Sequence, residues 1–435
     1  MWGLSDDGGA YTTIHIEERP NELRNEVFHR VATAIRQHGG DEPELPSFAV
    51  LLGSPTEEEV VLDGMRAAFE DSVPILGGSS ADNDNLGAWR QIAKAGRGGF
   101  NVGKPTVSSN GITIAVCWAS CQTATTLTSG FKPTSCKATV TKVDGEVGKG
   151  RTILEVDDGS GSKPIRGVYE GWSEGAILKN APVNKDGVAN VLISSAFRPL
   201  GEVDGSYVRR VMHPANMSEK NGSLETYADA HVGMEVTMLE AAPETLANLI
   251  STSTKELVTD AMGASGGDAS AFEPHEVIGA LNIFCGGLVM AINDSMQEAT
   301  DELSKALGHH NTMGICCFGE QGMDHQRRAC HGNLMFGCLL FSNKQRAQLR
   351  TFKVGDCAFM LNPVFRDGTR LRAGPRVDDE FNGQFVLNDQ QVKILAIEDG
   401  LAKICSCGEG VTNETRVEGW VRMRNLSAVQ RAVGL

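Results

Sequence analysis

SFAVLLGSPTEEEVVLDGMRAAFEDSVPILGGSSA, residues 47–81, carries three distinct patterns in close succession. SFAVLLGS (47–54) is a continuous apolar run entering glycine, as a strand covered on both faces requires. TEEEVVLDGMRAAFED (56–71) spaces its apolar residues for one face of a helix, and Thr56 and Glu59 stand at capping-box separation. VPILGGSSA (73–81) is a second buried run, leaving through glycines and serines. Strand, helix and strand with short connections make an α/β unit.

On the N-terminal side, Leu23, Val27, Val31, Ala34 and Ile35 predict a helix over 20–38 that Gly39 and Gly40 end. On the other side, NGITIAVCW (110–118) reads as an outer strand led by an Asn-Gly turn. DDGSGSKP (157–164) and GASGGDAS (263–270) read as flexible interruptions, and a buried strand follows in HEVIGALNIFCGG (275–287). A helix over 289–307 carries Met290, Met296, Leu303 and Leu307; TMGICCFGE (312–320) and NLMFGCLLF (333–341) are apolar strands. Beyond residue 350 the texture changes to short β-type runs, so a small all-β module is expected over 355–426. The fold class is therefore α/β (α+β): two related halves, 1–205 and 206–345, with strand-rich cores flanked by helices, and a small β-barrel over 352–430.

The 435 residues suffice for several domains, and 41% hydrophobic with 22% charged residues excludes wholesale disorder. A net charge of -15 repels phosphate backbones. The best basic cluster, Arg366, Arg370, Arg372 and Arg376, is interrupted by Asp367, Asp378 and Asp379, so nucleic acid is set aside. No apolar run approaches the ~18 residues of a membrane span, and the first twenty residues lack a basic start and apolar core. The 11 cysteines then read as reduced thiols of a cytoplasmic protein.

The chemistry-bearing candidates are incomplete. GGFNVGKP (98–105) has P-loop spacing, but Pro105 stands where a Mg²⁺-binding hydroxyl is needed, so it reads as a surface loop. The soft ligands His309, His310, Cys316, Cys317, His325, Cys330 and His331 lack zinc spacing, and the adjacent Cys316 and Cys317 face opposite sides of a strand. Cys285, His331 and Asn333 supply the residue types of a cysteine hydrolase, yet Cys285 lies inside an apolar run, where a thiol is normally an inert small hydrophobe. Cys405-Ser-Cys407 is not a C-x-x-C redox motif. No enzyme, cofactor or metal is thus expected. In GGSSA, Gly77 and Gly78 would admit a ligand to the backbone, and Ser79 and Ser80 would offer hydroxyls. Glu320, ending one strand, and His331, opening the next, would form a polar pocket floor with Asn333 and Cys285.

The first 342 residues resemble the FIST family. The resemblance rests on LLGSP (51–55), VPILGGSSA, NGITIAV (110–116) and SGFKPTSCKATVTKVDG (129–145), then RRVMHP (209–214) and NGSLETYADAHVGMEV (221–236). NIFCGG (282–287), GICCFGE (314–320) and HGNLMFG (331–337) complete it. It implies an intracellular sensory module with an N-terminal and a C-terminal part and an amino-acid-like small-molecule ligand. The family usually places Arg after the cysteine strand's glycines, where this chain has Leu288, and Thr near the His-x-Asn pair, where Leu334 and Met335 stand. If that Arg holds a ligand carboxylate, this chain binds something different or less acidic. Residues 355–426 resemble a bacterial-type SH3 domain through TRLRAGP (369–375), Gly383 and EGWVRMRNL (418–426), which implies a protein or peptide partner. A hydrolase or a ligand-free scaffold acting through the tail are the competing readings.

Overall fold

The computed structural model describes residues 3, 5–17, 22–39, 45–69, 73–82, 87–93, 105–145, 149–259, 274–326 and 328–345, with the tail strands between 357 and 427. The loop at 98–104 and the segment 263–270 lie outside the described residues.

The α/β unit forms as its patterns require. Strand Phe48–Gly53 runs parallel to strand Ile75–Ser79, with Leu51 opposite Gly77, and helix Glu58–Phe69 connects them. Both strands belong to a six-stranded sheet ordered Ala10–Ile16, Ile112–Trp118, Phe48–Gly53, Ile75–Ser79, Glu320–Met323, Ala329–Gly332. Ile112–Trp118 is therefore an interior strand rather than an outer one, because Ala10–Ile16 pairs along its far edge. The polar residues of that N-terminal strand, Thr12, Thr13 and His15, hide it from a search for apolar runs.

A four-stranded sheet, ordered Thr312–Cys317, Val277–Cys285, Phe336–Gln345, Cys121–Thr128, packs face to face on the first. Phe48, Leu76 and Cys117 of one sheet meet Leu281, Ile283, Leu339 and Phe341 of the other. Helices Leu23–Gly39 and Glu58–Phe69 bury their apolar faces on the outer side of the six-stranded sheet. Helices Pro243–Thr259 and Met296–Leu307 do the same for the four-stranded sheet. Helices, sheet, sheet and helices thus form four layers. Beside them, a nine-stranded antiparallel sheet is built from residues between 132 and 240 and packs against helix Ile165–Trp172. Each of these three sheets takes strands from both sides of residue 205.

Several expectations need adjustment. The helix expected over 289–307 is interrupted: Gly286–Ala291, a 3-10 turn at Asn293–Ser295, then Met296–Leu307. DDGSGSKP is an ordered turn in which Asp157 Oδ1 accepts the N–H groups of Gly159 and Gly161 at 2.8 and 2.9 Å. The apolar run 312–320 is broken after Cys317, where the chain passes from one sheet to the other. At the crossing Phe318 N–H donates to Ser79 O, and Ser79 N–H donates to Gly319 O. Glu320 consequently opens a strand instead of closing one, and His331 lies inside the partner strand.

The tail strands form a seven-stranded antiparallel sheet, and no closed barrel is shown among the described strands. No helix among the described residues is long and apolar enough to cross a membrane.

Candidate functional site

Strand Glu320–Met323 organises the polar chemistry, because successive side chains leave a strand on opposite faces. Glu320 turns toward the four-stranded sheet, while Gln321 turns toward the helix side and stands opposite His331.

On the helix side Gln321 Nε2 donates to Ser79 Oγ at 3.1 Å and meets His331 Nδ1 at 3.0 Å. Ser79 Oγ–H donates to Glu58 Oε1 at 2.6 Å. Arg151 bridges two carboxylates, Nη2 to Glu58 Oε2 at 2.5 Å and Nε to Asp229 Oδ1 at 3.1 Å. His331 Nε2 lies 3.3 Å from Tyr227 O and 3.9 Å from Glu58 Oε1. The next residue of the helix, Glu59, pairs with Arg210, which also donates to Glu202 at 3.0 Å and to Asp229 O at 2.9 Å. Arg151 and Arg210 stand on strands of the nine-stranded sheet, so this seam ties the start of helix Glu58–Phe69 to that sheet. Burial alone would push Glu58 toward its neutral form; His331, Arg151 and the Ser79 hydroxyl outweigh it and hold the pKa below the usual carboxylate value. The helix N-terminus favours the same charge.

The local backbone is bent to serve this. Thr56 adopts φ 95°, and its N–H donates to Glu58 Oε2 at 2.9 Å. The reach-back expected from Glu59 to Thr56 is thus made by Glu58, and Glu59 goes to Arg210 instead.

On the other face Glu320 is fully buried among sulfur atoms. Cys317 Sγ–H donates to its Oε1 at 3.1 Å, Met335 N–H donates to its Oε2 at 3.0 Å, and Cys285 is a further donor. Burial dominates, raising the Glu320 pKa to about 8 despite these donors. Burial, and then the Glu320 carboxyl, push Cys285 and Cys317 well above the usual thiol value. Leu334, at φ 53°, turns successive N–H groups to one side: its own toward Cys285 and that of Met335 toward Glu320.

The residues singled out from the sequence therefore divide. Ser79 and His331 join one network through Gln321, while Glu320 and Cys285 meet on the opposite face. Ser80 accepts from Gln91 Nε2 at 3.0 Å. Asn333 Oδ1 accepts from His213 N–H at 3.2 Å, and Nδ2 donates to Phe318 O at 3.3 Å, so it braces the crossing segment. Gly77 and Gly78 are required by packing: a Cβ would lie 2.4 Å from Leu51 O at the first and 2.8 Å from Cys317 Cβ at the second. Cys285, His331 and Asn333 form no hydrogen-bonded relay; each bonds elsewhere. The soft ligands of 309–331 scatter: His309 bonds Val277 O, Cys316 is exposed, Cys330 is buried, and His325 stacks on Tyr207 with centroids 3.8 Å apart. Among the described residues no group of three or more His, Cys, Asp or Glu could hold a metal ion.

A paired motif that runs from the first strands to this crossing segment matches known protein families. The FIST N domain model matches residues 3–159, and the FIST C domain model matches residues 178–323. The chain carries both FIST domains. FIST domains are generally regarded as sensory, small-ligand-binding domains of signal transduction. No family model supports an SH3-type domain in the tail, and no curated protein matches the chain. The FIST C match ends at Met323, so it includes Glu320 and Gln321 but stops before His331.

Sequence reasoning missed Glu58, Arg151, Tyr227, Asp229, Gln321 and Cys317 as site partners. Glu58 was masked by its neighbours Glu57 and Glu59, and Arg151 and Asp229 sit on strands whose alternation looks ordinary. One signal was present: polar Gln321 next to Glu320 on an otherwise apolar segment implies polar partners on both faces.

Proposed function

We propose that this FIST protein recognises a small polar metabolite, of the amino-acid class, at the seam of Glu58, Arg151 and Asp229, and passes the event to a partner. One observation carries this reading. Arg151 and Asp229 remain 20% and 17% exposed, while Glu58 behind them is buried and held ionised, so a charged array reaches the surface. Arg151 would take a ligand carboxylate, and Asp229 with Glu58 would take its ammonium. Arg151 supplies here the cation that the family pattern leads one to expect at Leu288, which is buried in the core. The buried Oε1 of Gln321, which lacks a hydrogen-bond partner, adds an acceptor near the same network.

We read the protein as a binder without turnover, working in the cytoplasm. The Cys285 thiol hydrogen-bonds Glu320 on one face while His331 serves the other, so nucleophile and base are kept apart. The tail would transmit the signal as an SH3-like module contacting a peptide. Its antiparallel strands, with Trp420 opposite Arg372 and Lys403, support that reading.

The test is thermal unfolding of the full chain against a panel of amino acids. A ligand near 100 times its dissociation constant should stabilise the fold by about 2.7 kcal/mol. The shift should vanish in Arg151→Ala. A shift that survives that substitution, or none with any amino acid, would sink the proposal.

A further inference from the structure

Cys285 and Cys317 stand directly opposite each other on neighbouring parallel strands. Adjacent strands lie about 4.7–4.9 Å apart, within the Cα separation of about 4.4–6.8 Å that a disulfide spans. In-register residues also point to the same face, and here both thiols donate to one carboxyl group, that of Glu320.

We propose that Cys285 and Cys317 form an oxidation site, at which a hydroperoxide converts the two thiols to a disulfide while Glu320 carries the proton. Cys285 is the attacking sulfur. It ends its strand and receives the N–H groups of Leu334, Gly287 and Leu288, which favour a thiolate; Cys317 receives that of Gly319. In the minor fraction of molecules whose Glu320 is ionised, its carboxylate takes the Cys285 proton. The thiolate attacks one peroxide oxygen, the O–O bond breaks, and the departing oxygen takes the proton back from Glu320. Cys317 then attacks the sulfenic sulfur, forming the S–S bond and releasing water with the Cys317 proton. Two thiols and one hydroperoxide thus become one disulfide, one alcohol and one water, or two waters when the oxidant is hydrogen peroxide.

Burial makes the pair slow and selective, since only a small oxidant suits so enclosed a place. Oxidation would also strip Glu320 of both S–H donors. Its neighbour Gln321 belongs to the Ser79–Glu58 network, so the change would be felt on the ligand side of the sheet.

The experiment uses the full chain carrying Cys316→Ser, which removes the exposed neighbouring thiol. After hydrogen peroxide the remaining thiols are alkylated in denaturant, and the peptides are mapped by mass spectrometry. The expected result is a peptide joining Cys285 to Cys317, reversed by dithiothreitol and lost in Cys317→Ser. Recovery of both thiols alkylated while other cysteines oxidise would overturn the site, as would a link from Cys285 to another cysteine. Glu320→Gln should slow the link roughly a hundredfold; an unchanged rate would remove Glu320 from the step.

Discussion

Glu58 and Glu320 are both buried carboxyl groups on opposite faces of one sheet, and their surroundings drive them to opposite charge states. Glu58 meets a guanidinium, an imidazole, a hydroxyl and a helix N-terminus, and is held ionised. Glu320 meets two thiols and two backbone N–H groups, too weak a set to offset its burial, and it is kept neutral at ordinary pH. Depth in the fold does not set a carboxyl group's chemistry; the charge of its partners does. The ionised face suits a charged ligand, and the neutral face suits thiols that share a proton.

The largest expected effect tests the ionised seam. Arg210→Met removes a buried guanidinium from half-buried Glu59 and leaves Glu202 with Arg209 alone, and should cost about 3 kcal/mol, read from the denaturant midpoint at neutral pH. A loss below about 1 kcal/mol would place the pair among surface ion pairs and erase the contrast.

The two carboxyl groups should also act on opposite limbs of the pH–stability curve. Glu320's folded pKa of about 8 exceeds its unfolded value of 4.5, so the folded state binds the extra proton between them. Its contribution is complete below 4.5 and is lost as pH rises toward 8, by up to about 1.4 kcal/mol per pH unit. Glu320→Gln should flatten that limb. Glu58's folded pKa is lowered, so its contribution stands above 4.5 and is lost as pH falls; Glu58→Gln should flatten the acid limb instead. Identical pH profiles for the two variants would contradict the opposed charge states.

A smaller effect is expected at the sheet contact beside Glu320. Gly78→Ala brings a Cβ to 2.8 Å from Cys317 Cβ and should cost about 1–3 kcal/mol by calorimetry, with part of the loss recovered by Cys317→Ala. Smallest of all, Lys137→Ala removes an exposed pair with Glu235 and should cost at most about 1 kcal/mol, which calibrates the buried seam.

The elements were largely legible in the sequence. The strand–helix–strand unit at 47–81, the helix at 20–38 and the buried strand at 275–287 announce themselves by period, because burying one face or two demands it. Strand Ala10–Ile16 escaped because an edge strand can afford polar residues. The candidate site was legible only in part. Ser79, Glu320 and His331 stood out, yet placing Glu320 and His331 on a single floor failed, since Glu320 lies opposite Gly332 and one residue's offset reverses the face.

What the sequence determined alone was the α/β character of the body, its two FIST parts and the polar residues that interrupt apolar strands. Local periodicity suffices for these, because each depends on neighbours a few residues away. Only the tertiary structure decided that strand Glu320–Met323 leaves the sheet of Cys317 to pair with Ile75–Ser79. That step sets Gln321 beside Ser79 and Glu320 beside Cys285. Contacts between residues this distant in the chain are fixed by strand order and register, which no local pattern encodes.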